Sequence, residues 1–282
     1  MREQYIRFVM ETNLPGSNKA GSYVRALDYL APVLSASDKW SGCADIWKIS
    51  DPAQIDRLYH FILSEQSLPD GGIFRNTAKP SYWRNRYYSS ALKSLLQFVV
   101  ESQFEFKLEG QSAALMEGKE LAKKLQEQTI DNYDLLVDCE IEKSGAEQSA
   151  LVKTRLNQRY FRKMVLANYG GRCCVTGLQV PETLRASHIS PWAQDRDNRM
   201  NPSNGLCLSA TYDAAFDKHL ISFDDKYRLV LSPALREYAG AAHDSYFREK
   251  EGQRILSPIR FKPDSELLER HCDITISNRM SG

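Results

Sequence analysis

The sequence lacks the segments that would place a protein in a membrane or export it. It contains no run of about twenty apolar residues, so no membrane-spanning helix is predicted. The N-terminal stretch MREQYIRFVMETNLPG has no apolar segment of the signal-peptide type. From the sequence we therefore expect a cytoplasmic protein.

Cysteine is scarce, and neither sign of charge is in clear excess. The 6 cysteines among 282 residues are scattered, and no two form a C-x-x-C pair. A chain of this length needs no disulfide framework, so we expect free thiols and no four-cysteine zinc site. Because the formal net charge is only +1, binding to a polyanion would depend on local clusters of basic residues.

The length and the pattern of apolar residues predict two domains joined by a connector. Apolar residues recur at helical spacing in the first hundred residues, and Asp51-Pro52 has the composition of a helix start. We predict a helical domain over 1–106, in which the stretch 67–88 is a loop or a short hairpin. The charged stretch 107–150 is predicted as a connector and 151–282 as the second domain.

The second domain begins with a basic segment. The stretch 153–172 carries 6 basic residues and no acidic one, and its ending in Gly170-Gly171 is typical of a helix C-terminus. Beyond it we predict two short strands around a turn over 173–190, a helix starting at Ser209 or Thr211, and a strand over 224–232. Helices alternating with short strands predict an α+β domain.

Four residues of this domain suit the hydrolysis of a phosphodiester. His188 can accept a proton from an attacking water, because histidine titrates near neutral pH. Asp213 and Asp217 lie four residues apart on the predicted helix, so their carboxylates share a face and suit a hard divalent cation. Asn204 begins an Asn-Gly turn, where its side chain can bind the backbone and fix the loop that orients the histidine.

The order of these motifs resembles the HNH endonuclease family, and more narrowly its branch of predicted bacterial restriction endonucleases. The resemblance covers roughly 155–275, including the basic helix and the tail around His271. Its motifs are a Cys-containing Thr-Gly turn at 174–177, Ala-x-His-Ile-x-Pro-Trp at 186–192, Asn-Gly-Leu at 204–206 and Asp-x-x-Phe-Asp at 213–217.

The resemblance implies a fold in which a two-stranded ribbon and a helix surround one metal ion. The expected architecture is an α+β chain with a C-terminal ββα-metal (HNH) nuclease domain behind a mainly helical N-terminal domain. His188 is implied as the general base, Asn204 as the residue that holds the loop, and Asp213 as a metal ligand, with Asp217 on the same face.

The metal expected from these residues is Mg²⁺ or Mn²⁺. Asp213 stands where many members have the last histidine, and a carboxylate suits Zn²⁺ less well. Ser187 stands where a carboxylate or histidine often binds the metal, so Asp217, a backbone carbonyl or water would supply that contact. His219 is another candidate for the last histidine, although by helical spacing it should point away from the Asp213 face. Cysteines 173, 174 and 207 form an incomplete zinc set, so no structural zinc is predicted.

The function implied is metal-dependent cleavage of DNA, expected to be double-stranded, in restriction or defence against foreign DNA. Cutting both strands with one small site per chain would suit a homodimer. The N-terminal domain, where basic and aromatic residues mix between 82 and 93, is the expected DNA-recognition domain. Two alternatives remain: a non-cleaving DNA-binding protein on an HNH scaffold, and an RNase or toxin-like nuclease. The candidates for phosphate contact are Arg159, Arg162, Lys163 and Arg185.

Overall fold

The fold is known from a computed structural model that describes residues 1–12, 18–112, 116–137 and 145–278. Two compact units are present, which we call the N-terminal unit (Met1–Phe106 and Thr129–Lys153) and the C-terminal unit (Lys107–Gln128 and Thr154–Gly282). No helix in the described ranges is long and apolar enough to cross a membrane.

The helices in chain order are α1 (Arg2–Thr12), α2 (Lys19–Ser35), α3 (Pro52–Gln66), α4 (Pro80–Arg84), α5 (Tyr87–Ser112), α6 (Gly118–Glu127), α7 (Tyr133–Val137), α8 (Gly145–Asn168), α9 (Ala210–Asp217), α10 (Pro233–Arg236), α11 (Ala241–Tyr246) and α12 (Ser265–Ser277). The strands are β1 (Leu184–His188), β2 (Gly205–Ser209), β3 (Ile221–Phe223) and β4 (Leu229–Leu231).

The N-terminal unit is helical, as the sequence predicts. Asp51 caps α3 by accepting a hydrogen bond from the Ala53 N–H at 3.0 Å, and Pro52 is the first helical residue. The apolar stripes of α2, α3 and α5 are buried in one core. Between α3 and α5 the chain forms a 3₁₀ turn (Gly72–Phe74) and the short helix α4, so the predicted hairpin is wrong and the predicted loop is interrupted by helical turns.

The C-terminal unit contains a ββα arrangement. Strands β1 and β2 are antiparallel, with Leu184 opposite Ser209 and His188 opposite Gly205. Helix α9 follows β2 directly, because the extended Ser209 occupies its N-cap position. A second antiparallel ribbon, β3 and β4, packs against α12. The predicted fold class, α+β with a mainly helical N-terminal part, is confirmed.

Only one of the two strands predicted for 173–190 forms, and it is β1. The other stretch is a turn, in which the Gly177 N–H donates to the Cys173 carbonyl at 2.8 Å with Gly177 at φ +74°. The Cys174 N–H donates to the Cys207 carbonyl at 2.7 Å, which attaches the turn to β2. Cys173 and Cys174 therefore lie in a tight turn and do not form a β-strand.

The stretch predicted as a connector is divided between the two units. Helix α6 packs within the C-terminal unit, where a Cβ on Gly118 would lie 2.3 Å from Asn201 Oδ1. The Gln126 Nε2 donates to the carbonyls of Arg196 at 2.8 Å and Asp197 at 3.2 Å. Helix α6 therefore supports the loop that joins β1 to β2.

Candidate active site

A cleft of about 370 Å³ in the C-terminal unit brings together three of the residues singled out in the sequence. Strand β1 places His188 there as its last residue, and α9 places Asp213 and Asp217 one helical turn apart. Asn204 is fully buried and does not line the cleft. His219 and His271 line it as well.

The imidazole of His188 is held in one tautomer by the backbone. Its Nε2 lies 3.2 Å from the carbonyl oxygen of Arg199. A carbonyl oxygen only accepts, so Nε2 carries the hydrogen and Nδ1 is left as the proton acceptor. The ring of Phe161 stacks on the imidazole, with centroids 3.8 Å apart and planes at 12°. Burial lowers the pKa of His188 to about 4, against a smaller raising effect of the Arg199 carbonyl, so the ring is neutral at pH 7.

The side chain of Asn204 fixes the backbone that follows His188. Its Oδ1 accepts from the Ser190 N–H at 2.7 Å, and its Nδ2 donates to the carbonyls of Ser190 at 3.1 Å and Asn198 at 3.0 Å. The Asn204 carbonyl also accepts from the Ile189 N–H at 2.9 Å. These four bonds join both ends of the loop between β1 and β2, which supports the loop-holding role expected for this residue.

Gly205, the partner of His188 in the ladder, allows α8 to approach the site. A Cβ at this position would lie 2.4 Å from Val165 Cγ2 and 2.9 Å from Phe161 Cζ. Helix α8 can therefore set the Phe161 ring on His188 only because residue 205 has no side chain. Sequence reasoning missed Phe161, since nothing in the helical pattern distinguishes it from other core residues.

Ser187 orients one of the carboxylates. Its Oγ donates to Asp213 Oδ1 at 2.5 Å, and Ser187 is only 2% exposed. From the sequence Ser187 was expected only to be a poor metal ligand. The structure shows that this hydroxyl positions a ligand candidate, and the bond leaves Asp213 with accepting capacity on both oxygens.

The carboxylates of Asp213 and Asp217 repel each other. Burial raises the pKa of Asp217, the nearby charge of Asp213 raises it further, and His219 acts in the opposite direction. A divalent cation would relieve this repulsion. Among the described residues no group of three His, Cys, Asp or Glu side chains forms a ready metal site. Mg²⁺ and Mn²⁺ need few protein carboxylates and take their other ligands from water and phosphate, so the donor set fits a hard cation better than zinc.

His219 lines the same cleft as Asp213, so the expectation that it points away from that face is wrong. The expectation assumed a continuous helix, whereas α9 ends at Asp217 and His219 has a left-handed φ of +52°. The His219 Nδ1 is buried and has no hydrogen-bond partner within the described structure. This chain reversal returns the imidazole to the cleft.

Both nitrogens of His271 are engaged. Its Nε2 donates to the Phe216 carbonyl at 3.2 Å, and its Nδ1 accepts from the Ser222 hydroxyl at 2.9 Å. The ring stacks on Phe216 at 3.8 Å, and burial lowers its pKa to about 3. His271 is therefore a wall of the cleft with no free nitrogen for a metal.

The basic residues proposed to contact phosphate are already bonded within the C-terminal unit. Arg162 donates to the carbonyls of Leu184 at 2.8 Å and Pro181 at 3.3 Å. The exposed Arg185 donates to the carbonyls of Glu182 at 3.0 Å and Leu184 at 2.8 Å, and Lys163 pairs with Glu109. Arg159 is partly exposed and lies on α8, the helix that also carries Arg162 and Lys163. Any phosphate contact by Arg162 or Lys163 would have to share these groups with their internal partners.

Comparison with known proteins gives one family match, which lies in the C-terminal unit. A search among curated proteins found no match. Residues 173–224 match the family model described as HNH endonuclease. The matched segment contains β1, β2, α9 and β3, and with them the cleft residues His188, Asp213, Asp217 and His219. The C-terminal unit of this chain therefore carries an HNH endonuclease domain.

Proposed function

We propose that the protein is a metal-dependent DNA endonuclease that hydrolyses phosphodiester bonds, with His188 as its general base. The observation that carries the proposal is the neutral His188 ring, bonded through Nε2 to the Arg199 carbonyl, in one cleft with two carboxylates. A proton acceptor beside a site for positive charge is what hydrolysis of a phosphodiester requires.

In this mechanism one proton passes from the attacking water to a side chain of the protein. Nδ1 of His188 takes the proton of the attacking water, while Phe161 and the Arg199 carbonyl keep the ring in place. The low pKa reflects burial without DNA, and a DNA phosphate in the cleft would favour the charged imidazolium and raise that pKa.

Asp213 and Asp217 would hold one divalent metal, Mg²⁺ or Mn²⁺, with the Ser187 hydroxyl orienting Asp213. When bound, such a metal supplies charge neutralisation for the scissile phosphate and the leaving oxygen. Because the His219 Nδ1 has no hydrogen-bond partner in the described part of the chain, this imidazole is the next candidate ligand in the same cleft.

The biological task we propose is restriction or defence against foreign double-stranded DNA. The protein has a separate N-terminal unit outside the HNH segment, and we propose that this unit reads the DNA. Because one small site cuts one strand at a time, we propose that a homodimer makes double-strand breaks. Exposed Arg185 lies on β1, the strand that ends at His188, and is one of the proposed phosphate contacts.

The test is incubation of the purified full-length protein with supercoiled plasmid DNA and, separately, with RNA. We expect nicked and then linear DNA with Mg²⁺ or Mn²⁺ and no change when EDTA is present. Binding of DNA without cleavage at any metal concentration would favour the non-cleaving HNH scaffold. Degradation of RNA in preference to DNA would contradict the proposed substrate.

A further inference from the structure

The N-terminal unit contains a cleft of about 460 Å³ that the nuclease chemistry does not use. This volume lies in the range typical of small-molecule sites, about 300–1,000 Å³. Part of the cleft is lined by apolar residues, and its polar groups lie mainly on the segment between the 3₁₀ turn (Gly72–Phe74) and α4. The residues that matter for the argument are Tyr29, Val33, Ile73, Thr77, Lys79 and Tyr88.

Two hydroxyl groups of this cleft have no hydrogen-bond partner among the described residues. Thr77 Oγ1 is buried and unpartnered, although buried polar groups are bonded in the great majority of proteins. Tyr88 is only 1% exposed, its ring stacks on Phe74 at 4.9 Å, and its hydroxyl forms no hydrogen bond with the described part of the chain. Each hydroxyl can both donate and accept, so the cleft offers paired hydrogen-bonding capacity beside aromatic surface.

The stretch from 71 to 100 carries positive charge only, and the nearby Glu65 carboxylate on α3 accepts from the Ile73 N–H at 2.9 Å and pairs with Lys39. Between 71 and 100 the sequence contains 5 basic residues and no acidic one. Lys79 lines the cleft, is exposed, and forms no ion pair with any residue that the structure describes. A ligand that fills the cleft and satisfies Lys79 therefore combines a flat apolar body, hydrogen-bonding edges and a negative charge.

We propose that this cleft binds the base of one nucleotide swung out of DNA, with Lys79 on its phosphate. The base would lie against the partly exposed ring of Tyr29, and the hydroxyls of Thr77 and Tyr88 would bond to its polar edge. An apolar peptide side chain would leave the buried Thr77 hydroxyl without a partner, which disfavours such an occupant. Extruded bases are read in this way, by stacking and by hydrogen bonds in a pocket.

This inference rests on the proposed function only in taking DNA as the ligand. Each of the four deoxynucleoside monophosphates is titrated into full-length protein in EDTA, with inorganic phosphate as a second probe. No phosphodiester is present, so the result does not depend on cleavage. We expect at least one nucleotide to bind more tightly than phosphate. Thr77→Val and Lys79→Gln should each weaken that binding about fivefold, the usual effect of losing one hydrogen bond.

The control is Lys48→Gln, which removes an exposed charge paired with Asp45 elsewhere in the same unit and should leave binding unchanged. Circular dichroism verifies the folding of all three variants, and Lys79→Gln, at an exposed position, tests the site even if Thr77→Val unfolds. The cleft inference is overturned if no nucleotide binds at millimolar concentration, or if Thr77→Val and Lys79→Gln bind as the wild type does. Nucleotide binding with no nuclease activity would instead contradict the proposed function and leave this site standing.

Discussion

At His188 the burial that lowers the pKa also decides how the residue can act. A charged imidazolium would donate from both nitrogens, whereas the neutral ring bonded to Arg199 keeps Nδ1 as an acceptor. His271 is neutral for the same reason, yet it has no chemical role because Ser222 occupies its Nδ1. Two similar histidines are thus distinguished by one hydrogen bond.

These two buried histidines predict a loss of stability in acid. Their folded pKa values, about 4 and about 3, lie below the unfolded value of 6.5. As the pH falls below 6.5, these two histidines bind protons in the unfolded chain but stay neutral in the folded chain. The stability present above pH 6.5 is therefore lost toward pH 4. Between pH 7 and pH 5 each histidine should cost about 2 kcal/mol of unfolding free energy.

Urea denaturation at both pH values measures this loss, and His188→Gln provides the comparison because it removes one of the two groups. We expect the variant to show a smaller drop between pH 7 and pH 5 than the wild type. Equal drops in the two proteins would mean that His188 is not buried as a neutral ring.

The Asp213 carboxylate predicts a metal-binding change that can be measured without any cleavage. Asp213→Asn keeps an acceptor for Ser187 but removes the charge, so the affinity for Mn²⁺ measured by calorimetry should fall about tenfold or more. The exposed Asp225→Asn in the same unit is the matched control and should bind as the wild type does. If Asp213→Asn also binds Mn²⁺ normally, the ligands must be sought elsewhere in the cleft, first at His219.

At the scale of elements, the order β1, β2, α9 was predictable because its signals are local. Asn204-Gly205 marks the start of β2, and the aspartates at 213 and 217 lie on one helix face. The position of His219 was not predictable, because it depends on where α9 ends and on a left-handed residue after it. The partners of Arg162 and Lys163 were also hidden, since Leu184 and Glu109 are distant in the sequence.

The contact between β2 and α8 predicts that residue 205 tolerates no side chain. In Gly205→Ala the new Cβ would collide with Val165 and Phe161, which should cost about 1–3 kcal/mol of stability and displace the ring that stacks on His188. Cleavage should fall with it. Gly110→Ala, whose Cβ would meet nothing within 4 Å, is the control and should melt at or above the wild-type temperature. A Gly205→Ala protein as stable as wild type would show that α8 does not approach β2 this closely.

At the scale of the whole molecule, the division into two units was partly visible in the sequence. The shift to a basic composition near Lys153 lies at the observed boundary between Lys153 and Thr154. The sequence did not reveal that α6 packs against the loop of the HNH domain, because the charged stretch around it is typical of a solvated linker. That packing depends on Gly118 and Gln126, whose partners lie about seventy or more residues away in the chain.

The packing of α6 within the C-terminal unit predicts different melting temperatures for fragments with and without this helix. A fragment of residues 150–282 contains every cleft residue but lacks α6, and so loses the support of the loop at 196–203. It should melt several degrees below a fragment of residues 107–282, because one lost packing contact of about 1 kcal/mol shifts melting by several degrees in a small domain. Thermal melting and plasmid nicking of both fragments test this. Identical melting and cleavage would show that α6 is a dispensable linker.

The central claim is that His188 is the general base of a DNA-cutting site, and cleavage by His188→Ala tests it most directly. Plasmid nicking rates are measured for wild type and variant with Mg²⁺ or Mn²⁺, and DNA affinity is measured separately in EDTA. The account predicts a fall in rate of about 10²- to 10⁴-fold, the usual effect of losing a general base, with DNA affinity nearly unchanged. A variant that folds and cuts within about threefold of the wild-type rate would contradict it, because general-base loss does not have so small an effect.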